Sequence, residues 1–293
     1  MNQSNSLNEV QVKTIRNLAR KKRRELGFTE EAPIGNDIFT ILDNLNIILL
    51  EYPIKSEEGD KPAFSAVLMY SEEGGQELTF IGLNTADYFD KQVFALAHEL
   101  YHYYTKTGSH LSRPEDEEKN RTETEANRFA AEFLLPESAL ENIVFDEFKN
   151  SSLQTIKTKT LLRFIARLQC AWWLPFRSIV KRLREINAIS DKQYSELYAI
   201  DERDMEKEYG RIGKAIDKDT FLKLNTATHT VGTSPKVIEI IIRNFEDNII
   251  DEDKFTDTLL LFNKKPEDFG YEIDISKEDI DEFKKFIKGE ENG

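Results

Sequence analysis

Between Asp90 and Lys106 the chain holds neither glycine nor proline, and this stretch, KQVFALAHELYHYYT, constrains the fold more than any other. It predicts a long helix over roughly residues 86–106. Phe94, Ala95, Leu96, Ala97 and Leu100 make much of its circumference apolar, so other elements must cover it. A second stretch of the same kind, RTETEANRFAAEFLLP, predicts a helix over roughly 120–134. Its core side is set by Ala126, Phe129, Ala130, Phe133 and Leu134, and Pro136 stops it.

Shorter elements surround these two. Residues 8–26 form an amphipathic helix with Val10, Ile15, Leu18, Ala19 and Leu26 on its apolar side. Its basic end, ARKKRREL, reads as a solvated face ahead of a nucleic-acid contact. Asp37 suits an N-cap for a helix carrying Ile38, Ile41, Leu42 and Leu45. IILLEY is a strand closed by Pro53, SEEGDK an exposed loop, and FSAVLMY and LTFIGLN are strands joined by the turn SEEGGQ as an antiparallel hairpin. From 158 to 200 the pattern is helical, with short helices and tight turns of helix-turn-helix or winged-helix type. In 206–293 the best core elements are VIEIIIRNF and DKFTDTLLLF, and the acidic tail KGEENG is expected to fray.

Within the long helix, His98-Glu99-Leu100-Tyr101-His102 places two histidines four residues apart, on one face. Two imidazoles so placed can share one metal ion. Glu99 projects about 100° round the helix from His98, where metallohydrolases keep the glutamate that serves as general base toward a water on the metal. The spacing fixes only three positions and also fits two ordinary surface histidines. The apolar flanks argue for burial, and two buried histidines need partners.

A catalytic zinc takes three protein ligands and keeps one position open. His110 is near in sequence and His229 remote. On the second helix Glu123 falls within the apolar arc, where a carboxylate is costly unless paired or bound to metal. Glu123 is therefore the expected third ligand and Glu125 the alternative; a salt bridge at a helix border is the other reading of Glu123. Asn127, one turn after Glu123, is placed to hydrogen-bond a ligand. Tyr101, Tyr103, Tyr104 and His110 are candidates for holding an oxyanion, with no spacing argument between them, and the strand LTFIGLN could offer an edge to an extended substrate.

HELYH followed by TETEANRFAAEFLLP resembles the ImmA/IrrE family of metallopeptidases. That family joins a His-Glu-x-x-His helix to a second helix of the pattern Glu-x-x-x-Asn-x-x-Ala-Ala-x-x-Leu-x-Pro, here Glu123, Asn127, Ala130, Ala131, Leu134 and Pro136. The likeness covers about residues 10–200. It implies a gluzincin-type endopeptidase with zinc (manganese as alternative) on His98, His102 and Glu123, and Glu99 as base. It also implies a helix-turn-helix transcriptional repressor as substrate, whose cleavage relieves repression of a mobile element or stress regulon.

The fold expected is α+β and mostly helical, with a small antiparallel or mixed three-stranded sheet packed on a zincin-type active-site helix. Expected domains are a zincin-like domain over 1–140, a helical, winged-helix-like region over 141–205 and an accessory domain over 206–293. Two other functions compete: a non-catalytic metal-binding regulator that sequesters a repressor, and a DNA-binding regulator through 158–200, where nine Lys/Arg stand against three Asp/Glu over 151–200 in a chain of net charge -14. A charged exterior is favoured over DNA contact for these residues. A single cysteine, Cys170, excludes an intrachain disulfide framework. No apolar run reaches the roughly 18 residues of a membrane span, and MNQSNSLNEVQVK has no secretion-signal core. A cytoplasmic location is expected. Walker A, GxSxG, CxxC and EF-hand patterns are absent, so nucleotide, serine and cysteine chemistries have no support.

Overall fold

The computed structural model describes residues 7–56, 59–62, 64–73, 76–107 and 117–271. His110 and the acidic tail lie outside the described residues. The first helix, α1 (Glu9–Glu25), starts at a capping box in which Asn8 and Gln11 bond each other's backbone N–H. Helix α2 (Asp37–Asn44) buries Ile38, Ile41 and Leu42; its cap residue is Asn36, so Asp37 is the first helical residue rather than the N-cap.

The strands β1 (Ile47–Tyr52), β4 (Ala66–Glu73) and β5 (Gln76–Asn84) share a sheet in the order β4-β5-β1. β2 (Lys55–Ser56) and β3 (Gly59–Pro62) form an antiparallel ribbon where the sequence suggested a loop. β1 runs parallel to β5, with Ile47 opposite Thr79 and Tyr52 opposite Asn84. β4 runs antiparallel, with Ala66 opposite Leu83 and Glu73 opposite Gln76. The sheet is thus mixed, and one face supplies Ile47, Leu49, Leu68, Ile81 and Leu83 to the core. Because β5 is flanked on both sides, the edge expected from LTFIGLN belongs instead to β4.

Two helices carry the core below the sheet. α3 (Phe89–Thr105) buries Val93, Leu96, Ala97 and Leu100, and α4 (Glu117–Leu134) buries Ala126, Phe129, Ala130 and Phe133. Both sets follow the helical repeat, so each helix turns one continuous stripe inward. The buried Arg23 of α1 closes the end of α4 by donating to the Phe133 carbonyl at 2.5 Å and to the Thr29 carbonyl at 2.6 Å. Then come α5 (Glu137–Phe148), α6 (Thr158–Trp172), α7 (Phe176–Glu185), α8 (Asp191–Tyr198), α9 (Glu208–Ile216) and α10 (Lys218–Leu224). The fold is α+β and mostly helical, as expected.

The chain divides once, into Met1–Val231 and Gly232–Gly293, whereas the sequence placed boundaries at 140 and 205. One hydrophobic core runs across both expected positions, from Ile15 through Leu140, Phe176 and Tyr209 to Leu224. The reason is visible at the start of α3. Asp90, fully buried, accepts from Arg203 at 2.9 Å and Gln169 at 2.8 Å; Gln169 in turn accepts from the Tyr209 hydroxyl at 2.7 Å. A buried carboxylate demands such partners, and they come from the segment that the sequence had assigned elsewhere. Further on, Phe221 covers Gly213 so closely that a Cβ there would lie 2.1 Å from its ring. In the second unit α11 (Pro235–Glu246) and α12 (Glu252–Leu260) meet through stacked Phe245 and Phe255, centroids 4.2 Å apart, with Tyr271 edge-on to both. Among the described residues no helix is long and apolar enough to cross a membrane.

Candidate metal centre

His98 and His102 stand one turn apart on α3, and their Nε2 atoms come within 3.2 Å. From α4, Glu123 brings Oε2 to 3.1 Å of His98 Nε2 and Oε1 to 3.7 Å of His102 Nε2. Among the described residues these three form the one group of His, Cys, Asp and Glu whose ligand atoms converge, all within 4.8 Å of one another. Glu123 lies opposite the histidines, whereas helical phase had set it within the apolar arc. Its side chain is nevertheless 44% exposed, against 4% for His102, so the cluster is closed on the α3 side and open on the α4 side. Glu125, the alternative ligand, is engaged elsewhere: it accepts from the Tyr101 hydroxyl at 2.8 Å and from Arg121 at 3.1 Å. His229 lies apart, its N–H bonded to the Thr85 carbonyl.

The far sides of both rings are occupied. His98 Nδ1 lies 3.2 Å from Asn127 Oδ1, as the spacing of Asn127 from Glu123 suggested, and His102 Nδ1 lies 3.2 Å from Thr107 Oγ1. With each Nδ1 carrying its hydrogen to these oxygens, two Nε2 lone pairs and a carboxylate face one another. Such an arrangement repels itself unless a cation enters. A proton is one such cation. Burial lowers the pKa of His98, but the hydrogen bond to Glu123 and the charges of Glu99 and Glu123 outweigh burial and raise it. Burial and the neighbouring His98 push His102 down to about 4. A divalent metal is the stronger fit. Ligand atoms roughly 2.0–2.1 Å from a tetrahedral zinc lie roughly 3.3–3.4 Å apart, and the observed separations of 3.1, 3.2 and 3.7 Å bracket that value. Two imidazole nitrogens and one carboxylate are also a donor set that zinc accepts.

Glu99 is buried beside the cluster, and one oxygen, Oε2, accepts the Leu68 N–H of β4 at 3.0 Å. Burial pushes its pKa up to about 7; Glu123 adds to the rise, while His98 and the Leu68 N–H oppose it. A carboxyl group poised near neutrality can both take and return a proton. The tyrosines are less informative. Tyr101 is committed to Glu125, the Tyr104 ring lies under Lys22 and the Tyr103 ring under Lys106. Sequence reasoning missed Thr107 and the Leu68 N–H. Thr107 follows the helix end, where no periodicity reaches, and the Leu68 contact is made by backbone.

The basic residues of 158–200 have partners of their own. Arg182 is buried against Glu132, Arg177 pairs with Glu202 at 3.4 Å and lies over the Tyr198 ring, and Arg184 pairs with Asp191 at 2.8 Å and lies over Tyr194.

Residues 43–164 match the family model of the IrrE N-terminal-like domain, Peptidase_M78. No curated protein and no solved structure matches the chain. The matched stretch runs from the end of α2 into α6 and holds His98, Glu99, His102 and Glu123 together, so over these residues the chain is similar to the IrrE N-terminal-like peptidase domain.

Proposed function

We propose that the protein is a zinc-dependent endopeptidase of the gluzincin type, with His98, His102 and Glu123 as ligands and Glu99 as base, acting on a helix-turn-helix repressor. The observation that carries this reading is the convergence of three ligand atoms whose lone pairs face one another, with a buried carboxyl group of near-neutral pKa alongside. When bound, the metal supplies a Lewis acid that polarises the scissile carbonyl and acidifies water. Glu99 takes the proton of the attacking water and delivers it to the departing amine. The Leu68 N–H holds one carboxylate oxygen of Glu99 in place and leaves the other for the proton. Since β4 is the edge of the sheet and meets Glu99 at Leu68, an extended segment hydrogen-bonded along β4 would pass the base. The repressor as substrate rests on the family resemblance; a segment unfolded from such a protein has the extended backbone this edge can accept.

The test pairs metal analysis with cleavage. Purified protein should hold about one zinc per chain, and the Glu123→Ala variant should hold far less. Zinc-loaded wild type, incubated with a library of unstructured peptides and read by mass spectrometry, should cut bonds that Glu99→Gln leaves intact or cuts roughly 10²–10⁴ times more slowly. Zinc-loaded protein that binds peptides but cuts none would support the sequestering role and overturn the peptidase.

A further inference from the structure

We propose that Thr107 is a positioning residue for the metal centre, fixing which nitrogen of His102 is offered to the ion. The inference deepens the proposed function and rests on His102 being a ligand.

The helix end builds the contact. Thr105 is the last residue of α3, and Lys106 caps it in the left-handed region at φ 53°. That reversal carries Thr107 back over the final turn, where its N–H donates to the His102 carbonyl at 3.1 Å. Its hydroxyl then lies 3.2 Å from His102 Nδ1 and 2.7 Å from Thr105 Oγ1.

Counting hydrogens decides the direction of every bond in this chain. Thr105 Oγ1 lies 2.7 Å from the Tyr101 carbonyl oxygen. A carbonyl can only accept, so Thr105 spends its one hydrogen there. Thr105 can then only accept from Thr107, so Thr107 spends its own hydrogen on Thr105. Thr107 has lone pairs but no hydrogen left for His102, and the contact at 3.2 Å requires that Nδ1 carry the hydrogen. The sequence of donation is His102 Nδ1–H to Thr107, Thr107 to Thr105, and Thr105 to the Tyr101 carbonyl. A neutral imidazole with hydrogen on Nδ1 has its lone pair on Nε2, the atom that faces His98 and Glu123. Thr107 is therefore to His102 what Asn127 is to His98, but it is supplied by the turn after the helix rather than by α4.

The experiment compares wild type, Thr107→Val and Thr107→Ser by competition with a chelator for zinc, with cobalt substitution giving the ligand-field spectrum. Circular dichroism of the metal-free proteins reports whether each is folded. Valine keeps the shape and removes the acceptor; serine restores it. Thr107→Val should bind zinc roughly 10- to 100-fold more weakly with an unchanged circular dichroism spectrum, and Thr107→Ser should stay within about threefold of wild type, less than the smallest loss expected for valine. Equal affinity of the valine variant and wild type would overturn the proposal. So would an equal loss in the serine variant, because the methyl group would then be what matters. Should Thr107→Val fail to fold, Thr107→Ser beside Thr107→Ala decides by the same criterion. Wild type that binds no zinc would instead bring down the metal centre itself, an outcome distinct from failure of the Thr107 inference alone.

Discussion

Helix α4 carries two inward carboxylates, Glu123 near its start and Glu132 near its end, and their surroundings are opposite. Glu132 is met by cations of the protein. Arg182 lies 2.8 Å away and Arg128 3.6 Å away, and the Glu137 N–H donates at 3.0 Å. The guanidinium of Arg182 also reaches Glu185 at 2.9 Å and the Leu135 carbonyl at 3.1 Å. Every charge there has an opposite neighbour, and the group is a finished structural joint between α4, α5 and α7. Glu123 is met by two imidazoles whose other nitrogens are already occupied. One joint joins carboxylates to guanidinium groups; the other joins a carboxylate to two imidazoles, a donor set that suits a metal ion.

The largest effect is expected at the finished end. Arg182→Ala leaves Glu132 buried without its principal partner and should cost about 3–5 kcal/mol in chemical denaturation, while the double variant Arg182→Met/Glu132→Met should recover most of that loss. Failure of the double variant to recover would mean that the pair shapes the helix junction rather than merely balancing charge. Next comes the response to metal. Zinc at about a thousand times its Kd should stabilise wild type by about 4 kcal/mol, seen as a rise in Tm. Glu123→Ala should lose that rise, and Arg182→Ala should keep it despite a lower starting Tm. The smallest effect is that of Glu123→Ala on the metal-free protein. Its side chain is 44% exposed, so the change should lie within about 0.5 kcal/mol of wild type. A large loss there would make Glu123 a structural salt-bridge partner and erase the contrast between the two ends.

Asp90 extends the comparison to α3. It sits at the first turn of the metal helix, fully buried and held by Arg203 and Gln169. The helix bearing His98 and His102 is thus anchored at its start by the segment after α8, and at its end by the turn that supplies Thr107. Residues 206–231 belong to the support of the centre, which is why a boundary at 205 does not match the packing.

The sequence by itself determined what depends on short range. The helical repeat placed His98 beside His102 and Asn127 one turn after Glu123, because side chains four residues apart share a helix face whatever surrounds them. The β4–β5 hairpin followed from two apolar runs joined by a short turn. The tertiary structure alone decided what depends on partners distant in the chain. Helical phase set Glu132 toward the edge of the apolar arc or outside it, yet the side chain is buried, because Arg182 meets it from another helix fifty residues on. It could not place β1 against β5, a parallel pairing that leaves β4 as the edge beside Glu99. Nor could it find Thr107, whose contact with His102 exists because one backbone angle reverses the chain at Lys106. Periodicity reports which way a side chain points; only the folded chain reports what it meets there.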